Sequence, residues 1–136
     1  MKNILIFITT TVFLSITPLW GQNKKEIREK NLKSIKIFEK KTELSKEQIL
    51  RSYTLFDDHG NILEEAEYNG EGETKMHKKY EYDQDDNKIK EIELSPQGKI
   101  LSTTIFKYEN KLRTEKTEYD YKGKMKSVKT YVYEKF

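Results

Sequence analysis

A glycine or asparagine stands two residues before an aliphatic residue at five places, and this spacing constrains the fold more than any other feature. Both residue types tolerate the positive φ that a tight β-hairpin turn demands and that most side chains resist. The aliphatic residue can then open the next strand. The copies are Gly60-Asn61-Ile62, Asn87-Lys88-Ile89, Gly98-Lys99-Ile100, Asn110-Lys111-Leu112 and Gly123-Lys124-Met125. The recurrence predicts an array of β-hairpins.

The spacing of the turn signals, one every 11 to 15 residues, predicts an all-β fold of about eight strands. The connections are too short for parallel crossovers, so the strands form an antiparallel meander. We predict a single twisted or curled sheet, either open or partly closed. The predicted strands cover residues 32–40, 48–56, 62–68, 75–82, 88–94, 99–108, 112–121 and 125–136. The first of these also has a weak helical stripe, and we choose a strand because the segment is short and feeds a hairpin.

The first 21 residues have the pattern of a cleaved signal peptide. Lys2 precedes an uncharged run from Ile4 to Trp20, and Gly21 is a small residue of the kind favoured at a cleavage site. An uncleaved membrane anchor is the alternative, but the run is barely long enough and has no basic cluster on both sides. We therefore expect a periplasmic or secreted protein with no membrane span after cleavage. Residues 22–31 would be a flexible lead-in or a short helical turn, and residues 32–136 the β-meander domain.

Composition excludes several classes of function. After removal of residues 1–21, the chain has 25 basic and 23 acidic side chains that are well mixed along the sequence, so no sustained basic face is expected. This argues against nucleic-acid binding. There are no cysteines. Disulfides, thiol catalysis and thiolate metal sites are therefore excluded.

The unit of aromatic, any residue, aromatic and Asp, followed by a turn and Gly-x-aliphatic, resembles the YD repeat of the RHS family. The matching segments are Tyr80-Glu81-Tyr82-Asp83 running to Ile89, residues 53–62, and residues 119–125. The resemblance covers residues 32–136, although Asp follows the second aromatic only after Tyr82, and Asn replaces Gly in two copies. It implies a small exported β-sheet protein of the bacterial envelope. Eight strands cannot enclose a toxin domain as long RHS proteins do, and no site residue is implied.

The tyrosines are the candidate ligand-binding residues. They occur largely as i, i+2 pairs, so each pair points to one face of its strand. As core they pack the sheet; exposed, they would form a platform for a glycan or an extended peptide of another protein. The candidates are Tyr80, Tyr82, Tyr108, Tyr119, Tyr121, Tyr131 and Tyr133. Whether the pairs share a face depends on strand register, which the sequence leaves open.

Candidates for metal chemistry are few. Asp83, Asp85 and Asn87 have the oxygen spacing of the first half of a calcium loop, but Lys88 replaces the turn glycine that such a loop needs. The simpler interpretation is a hairpin tip whose side chains bond their own backbone. His59 and His77 lie on different hairpins and would need a third ligand. The serines and paired carboxylates lie in no catalytic motif, so we predict no cofactor and no enzymatic activity.

These patterns favour an exported, non-enzymatic binding or structural module. The alternatives are a carrier that holds a small apolar ligand in a curled sheet, and a calcium-dependent protein that uses the hairpin tip at residues 83–87. If the sheet is open, its last strand is an unpaired edge rich in β-branched and aromatic residues. A partner protein or a second copy could add there by strand pairing, whereas the lysine-rich first strand discourages it.

Overall fold

The computed structural model describes residues 24–136, and the predicted signal peptide lies outside them. A short helix, α1 (Lys24–Glu29), precedes eight strands. The strands are β1 (Ser34–Glu39), β2 (Ile49–Phe56), β3 (Ile62–Tyr68), β4 (Thr74–Tyr82), β5 (Lys88–Leu94), β6 (Ile100–Glu109), β7 (Leu112–Asp120) and β8 (Met125–Thr130). They form one antiparallel sheet in which spatial order equals chain order, and β1 and β8 do not meet. The predicted antiparallel meander in a single sheet is confirmed, and of the two forms left possible the sheet is the open one. Residues 24–29 form the short helix that was one of the two possibilities for residues 22–31.

Five of the hairpin connections share one five-residue loop. The loops cover residues 57–61, 69–73, 83–87, 95–99 and 120–124. In each, the first residue is Asp, Asn or Ser, and its side-chain oxygen accepts the N–H groups of the residues two and four positions later. The first and fifth residues also close the loop by a backbone hydrogen bond of 2.8 to 3.0 Å. The loop therefore satisfies its own backbone, as Asx and Ser turns do.

The fourth residue of each loop has a positive φ. Glycine occupies this position in four loops, and Asp86, with φ of 61°, occupies it in the 83–87 loop. The prediction that Asn87 has this role is wrong by one residue. Asn87 is the last residue of its loop, where its side chain donates to Asp83 at 2.9 Å. Asn110 (φ 51°) and Lys111 (φ 65°) do form the tight two-residue turn between β6 and β7.

A β-bulge follows each of these five loops. Leu55 pairs with Glu64 but Phe56 pairs with Ile62, so Leu63 has no opposite residue. The same shift recurs after the other four loops, at the second residue of the new strand. Because a bulge bends and twists its strand, five equivalent bulges add a regular twist to the sheet.

The pairings divide the side chains between two faces, which we name the Tyr80 face and the Tyr119 face. Tyr80 pairs with Glu91, and Glu91 with Thr104, so these three residues share a face. Phe106 and Tyr108 follow Thr104 at alternate positions and lie on the same face. Tyr119 pairs with Thr103 and therefore lies on the opposite face.

Eight of the sixteen predicted strand bounds differ from the observed ones, seven by one or two residues and the end of the last strand by six. The last strand ends at Thr130 instead of Phe136, with one further backbone hydrogen bond from Tyr131 N–H to the Thr114 carbonyl at 3.0 Å. The strand before it ends at Asp120, because the Asp120 carboxylate accepts the N–H groups of the next loop. Tyr121 consequently lies in the loop, so it does not form with Tyr119 an i, i+2 pair on one face of the strand.

No second layer covers the sheet within residues 24–136, so its core is thin. The buried apolar residues are Ile27, Ala66, Tyr80 and Phe106. Five polar residues are equally buried: Asn61, Glu65, Ser95, Thr104 and Thr117. No large side chain in the described part of the chain is completely enclosed. Hydrogen-bonded ladders and cross-strand side-chain pairs therefore stabilise this fold, in place of a deep apolar interior.

Helix α1 packs against the 57–61 loop. Gly60 approaches it so closely that a Cβ there would lie 2.7 Å from the Lys24 carbonyl oxygen. The Lys24 ammonium also reaches across to the neighbouring 83–87 loop, where it lies 3.3 Å from Asp86. Asp86 accepts a further bond of 2.7 Å from the buried side chain of Asn61. The helix thus ties two hairpin tips together at one end of the sheet.

Candidate functional site

The structure separates the candidate tyrosines. Tyr80, Tyr82 and Tyr108 lie on the Tyr80 face. Tyr131 and Tyr133 follow the end of β8, where the Tyr131 ring centre lies 5.9 Å from the Arg113 guanidinium and the Tyr133 hydroxyl donates to the Arg113 carbonyl at 2.8 Å. Tyr119 lies on the opposite face. Exposure also divides them, because Tyr80 is 8% exposed and the loop residue Tyr121 is 66% exposed. The tyrosines do not form one continuous platform.

A buried carboxyl–phenol pair occupies the middle of the Tyr80 face. The Tyr80 hydroxyl donates to the Glu65 carboxylate, and Glu65 is only 5% exposed. Burial raises the pKa of Glu65, although the bond from Tyr80 opposes this change. Burial and the adjacent carboxylate also raise the pKa of Tyr80. The phenol therefore serves as a hydrogen-bond donor that satisfies a carboxylate inside the sheet.

A second carboxylate on the same face has two lysine partners. Glu91 accepts bonds of 2.8 Å from Lys78 and 2.8 Å from Lys88, one to each oxygen. Burial alone would raise the pKa of Glu91, but the two ammonium groups outweigh it and the pKa is lowered. Burial likewise opposes ionisation of Lys78, and its bond to Glu91 more than compensates, so its pKa is raised. This trio is a partly buried ion-pair network.

On the Tyr80 face, a row of alternating cations and aromatic rings extends from Tyr80 towards β8. The Lys88 ammonium lies 4.8 Å from the Tyr80 ring centre and 5.2 Å from that of Phe106. The Arg113 guanidinium lies 4.5 Å from the Phe106 ring centre and 5.9 Å from that of Tyr131. Such contacts are attractive because the ring face carries negative charge. Each cation in the row already has carboxylate or aromatic partners, so the row works as the core of the Tyr80 face.

The calcium-like spacing at residues 83–87 forms a self-bonded loop. One Asp83 oxygen accepts the N–H groups of Asp85 and Asn87, and the other accepts the Asn87 side chain, all at 2.9 Å. These bonds lower the pKa of Asp83. The geometry matches the simpler of the two interpretations. No group of three His, Asp or Glu side chains within residues 24–136 is arranged to hold a metal ion.

The two histidines bind different carboxylates. The His59 imidazole lies 2.9 Å from Asp86, and that of His77 lies 2.6 Å from Glu64. The hydrogen bond that the His59 ring donates to the Asp86 carboxylate raises the pKa of His59. The structure therefore does not bring the histidines together as a shared site.

Basic and acidic side chains are distributed unevenly along the chain, and the strand order carries this distribution into the sheet. Residues 24–56, which reach the end of β2, carry ten basic and five acidic side chains. Residues 57–106 carry six basic and thirteen acidic side chains. Residues 107–136 carry nine basic and five acidic side chains. The centre of the sheet is therefore acidic and both of its edges are basic, a pattern that counting charge by predicted strand could have revealed.

Other features needed the structure. The burial of Glu65 and the stacking of Arg113 follow from register, and no sequence signal marks either of them. The short helix α1 is neither long nor apolar enough to cross a membrane, and no other helix lies within residues 24–136.

Models of known protein families and curated proteins were compared with the chain, and none matches it. The resemblance to the YD repeat therefore stays a prediction.

Proposed function

We propose that the chain is an exported, non-enzymatic interaction module that binds another macromolecule through its open sheet, in the periplasm or outside the cell. The pairing of its ionisable groups carries the proposal. Glu65 bonds to Tyr80, and Glu91 bonds to Lys78 and Lys88. These two carboxylates of the Tyr80 face and their partners are thus engaged in holding the sheet together, and the exposed surface remains for binding.

Exposed apolar side chains at the sheet edges support a binding role. Ile37 and Phe38 are exposed in β1, as are Met125 and Val128 in β8. The rest of the chain is dense in charge. Exposed apolar groups in such a context mark interaction surfaces in soluble proteins.

Neither alternative function has an observation in its favour. A carrier needs an enclosed apolar interior, whereas the described sheet is open. A calcium protein needs free oxygen ligands at residues 83–87, whereas Asp83 is occupied by its own loop.

Site-specific photo-cross-linking in the native host tests the binding role. A benzophenone amino acid would replace Val128, Phe38 or Tyr121 in turn, with the buried Phe106 as a matched aromatic control. We expect a discrete adduct at one or more exposed positions and none at Phe106. No adduct at any exposed position, or catalytic turnover abolished by changing one side chain, would contradict the proposal.

Export is tested separately. N-terminal sequencing of the protein from the periplasm or medium should begin at Gln22. A cytoplasmic protein that retains Lys2 would contradict the export half of the proposal and leave the binding half standing.

A further inference from the structure

Within residues 24–136, no strand pairs with the outer edge of β8. The N–H of Tyr131 donates to the Thr114 carbonyl of β7 at 3.0 Å. Because N–H groups alternate between the two sides of a strand, those of Lys129 and Ser127 also point towards β7. Those of Val128 and Thr130 point outwards, where the described sheet has no further strand. This edge is a template for one more strand.

The register shifts near the two sheet edges lie in different strands. At β1 the extra residue is Arg51 of the neighbouring β2, and β1 itself is continuous. At β8 the extra residue is Lys126 of the edge strand itself, and Ser127 to Thr130 follow it without a further shift. Because a bulge in an edge strand opposes strand addition, the part of β8 that can accept a new strand is the run from Ser127 to Thr130.

Charge decides what can add to β8. Within residues 24–136, only Lys126 of the lysines around this edge has a carboxylate partner, Glu118 at 3.4 Å. Lys122, Lys124 and Lys129 therefore have charges that an incoming strand could neutralise. A second copy would bring a basic strand to a basic strand, whether it pairs β8 with β8 or β8 with β1, and like charges on facing strands destabilise pairing. The charge pattern favours an acidic partner and disfavours self-association.

The two faces of β8 also define the partner's pattern. Lys129 lies on the Tyr80 face, and Val128, which pairs with Thr117, lies on the Tyr119 face. Residues of an added strand alternate between the same two faces. In a matching strand, the residues that point to the Tyr80 face are Asp or Glu, and those that point to the Tyr119 face are β-branched.

We propose that the β8 edge binds an extended acidic segment of another protein, which joins the sheet as a ninth strand with carboxylates towards Lys129 and aliphatic residues towards Val128. The inference rests on the proposed binding role and names its partner class and surface. Backbone hydrogen bonds supply affinity and the lysines supply selectivity, as in other cases of strand addition.

The test uses fluorescence anisotropy with residues 22–136 and a labelled seven-residue peptide that alternates glutamate and valine. We expect saturable binding that weakens at least tenfold when salt rises from 50 to 500 mM, and no binding of the same peptide with lysine in place of glutamate. Val128→Pro removes an outward N–H and should weaken binding at least tenfold. Lys36→Pro, the matched change at an outward position of β1, should leave binding unchanged.

Lys129→Glu should weaken binding at least tenfold without altering the backbone, which keeps the test valid if the proline variant does not fold. Equal binding of both peptides, or equal losses from Val128→Pro and Lys36→Pro, would overturn the inference. A dimer in sedimentation experiments that Val128→Pro dissociates would also overturn it, by assigning the edge to a second copy. Cross-links from Phe38 or Tyr121 without any from Val128 would overturn the inference while leaving the proposed binding role intact.

Discussion

The contact between Gly60 and helix α1 gives the sharpest stability prediction, because the chain contains a matched control. Gly60 and Gly98 have φ of 79° and 78° at the same position of equivalent loops. An alanine at either site would suffer the strain of the left-handed region, roughly 1–2 kcal/mol. A Cβ at Gly98 meets nothing within 4 Å, whereas one at Gly60 lies 2.7 Å from the Lys24 carbonyl oxygen.

Gly60→Ala must therefore also displace helix α1. The displacement exposes Ile27, whose full burial contributes roughly 1.5–3 kcal/mol. We expect Gly98→Ala to lower the free energy of unfolding by roughly 1–2 kcal/mol and Gly60→Ala to lower it by roughly 2.5–5 kcal/mol.

Urea unfolding of residues 22–136, followed by circular dichroism, measures both effects. Ile27→Ala provides the second leg of a double-mutant cycle, since it removes the helix contact in advance. In that background Gly60→Ala should cost about as much as Gly98→Ala. Equal effects of the two glycine changes in the natural background would refute the docking of α1 on the 57–61 loop.

Three further predictions concern the Tyr80 face and the loops. Glu91 has a lowered pKa, so its contribution to stability is present above the ordinary glutamate pKa and is lost as the pH falls through the lowered value. Glu91→Gln should therefore reduce the free energy of unfolding by about 1–3 kcal/mol at pH 7. Urea unfolding curves should show this difference shrinking as the pH falls below the ordinary glutamate pKa, and a difference that stays constant would contradict the role of Glu91 in the ion-pair network. Tyr80→Ala should lower the free energy of unfolding by about 3–5 kcal/mol, whereas Tyr121→Ala should change it by no more than about 0.5 kcal/mol. Similar melting temperatures for the two variants would contradict the difference in burial between Tyr80 and Tyr121. Asp83→Ala should lower the free energy of unfolding by about 1–2 kcal/mol, because the hydrogen bonds within its loop are lost. Millimolar calcium should not raise the melting temperature of the natural chain. A calcium-dependent rise that Asp83→Ala abolishes would restore the interpretation of residues 83–87 as a calcium site.

The hairpin array could be predicted from sequence because its determinants are local. A positive φ at Gly60, Gly98 and Gly123 follows from the chemistry of single residues. Short connections then make the strands antiparallel neighbours, whatever the rest of the chain does. In the 83–87 loop the alternation of Gly and Asn assigned the positive φ to the wrong residue, Asn87. Asp86 has the positive φ instead, and the Asn87 side chain donates to Asp83.

Only the tertiary structure decided which side chains meet. Each loop is followed by a bulge that shifts the pairing by one residue, and a shift of one residue exchanges the two faces of a strand. For that reason the sequence could not show that Glu65 is buried against Tyr80, or that Tyr119 lies on the opposite face.

The basic edges of the sheet result from the sequence and the tertiary structure together. The sequence sets the distribution of lysine and glutamate along the chain, but the strand order decides where these charges lie in the sheet. Because each strand pairs with its neighbours in the chain, a block of sequence becomes a block of sheet. The basic first and last thirds of the described chain consequently lie at the two open edges, and the acidic middle lies between them. Local turn chemistry set the order of the strands, and the open sheet exposed the charge at its ends.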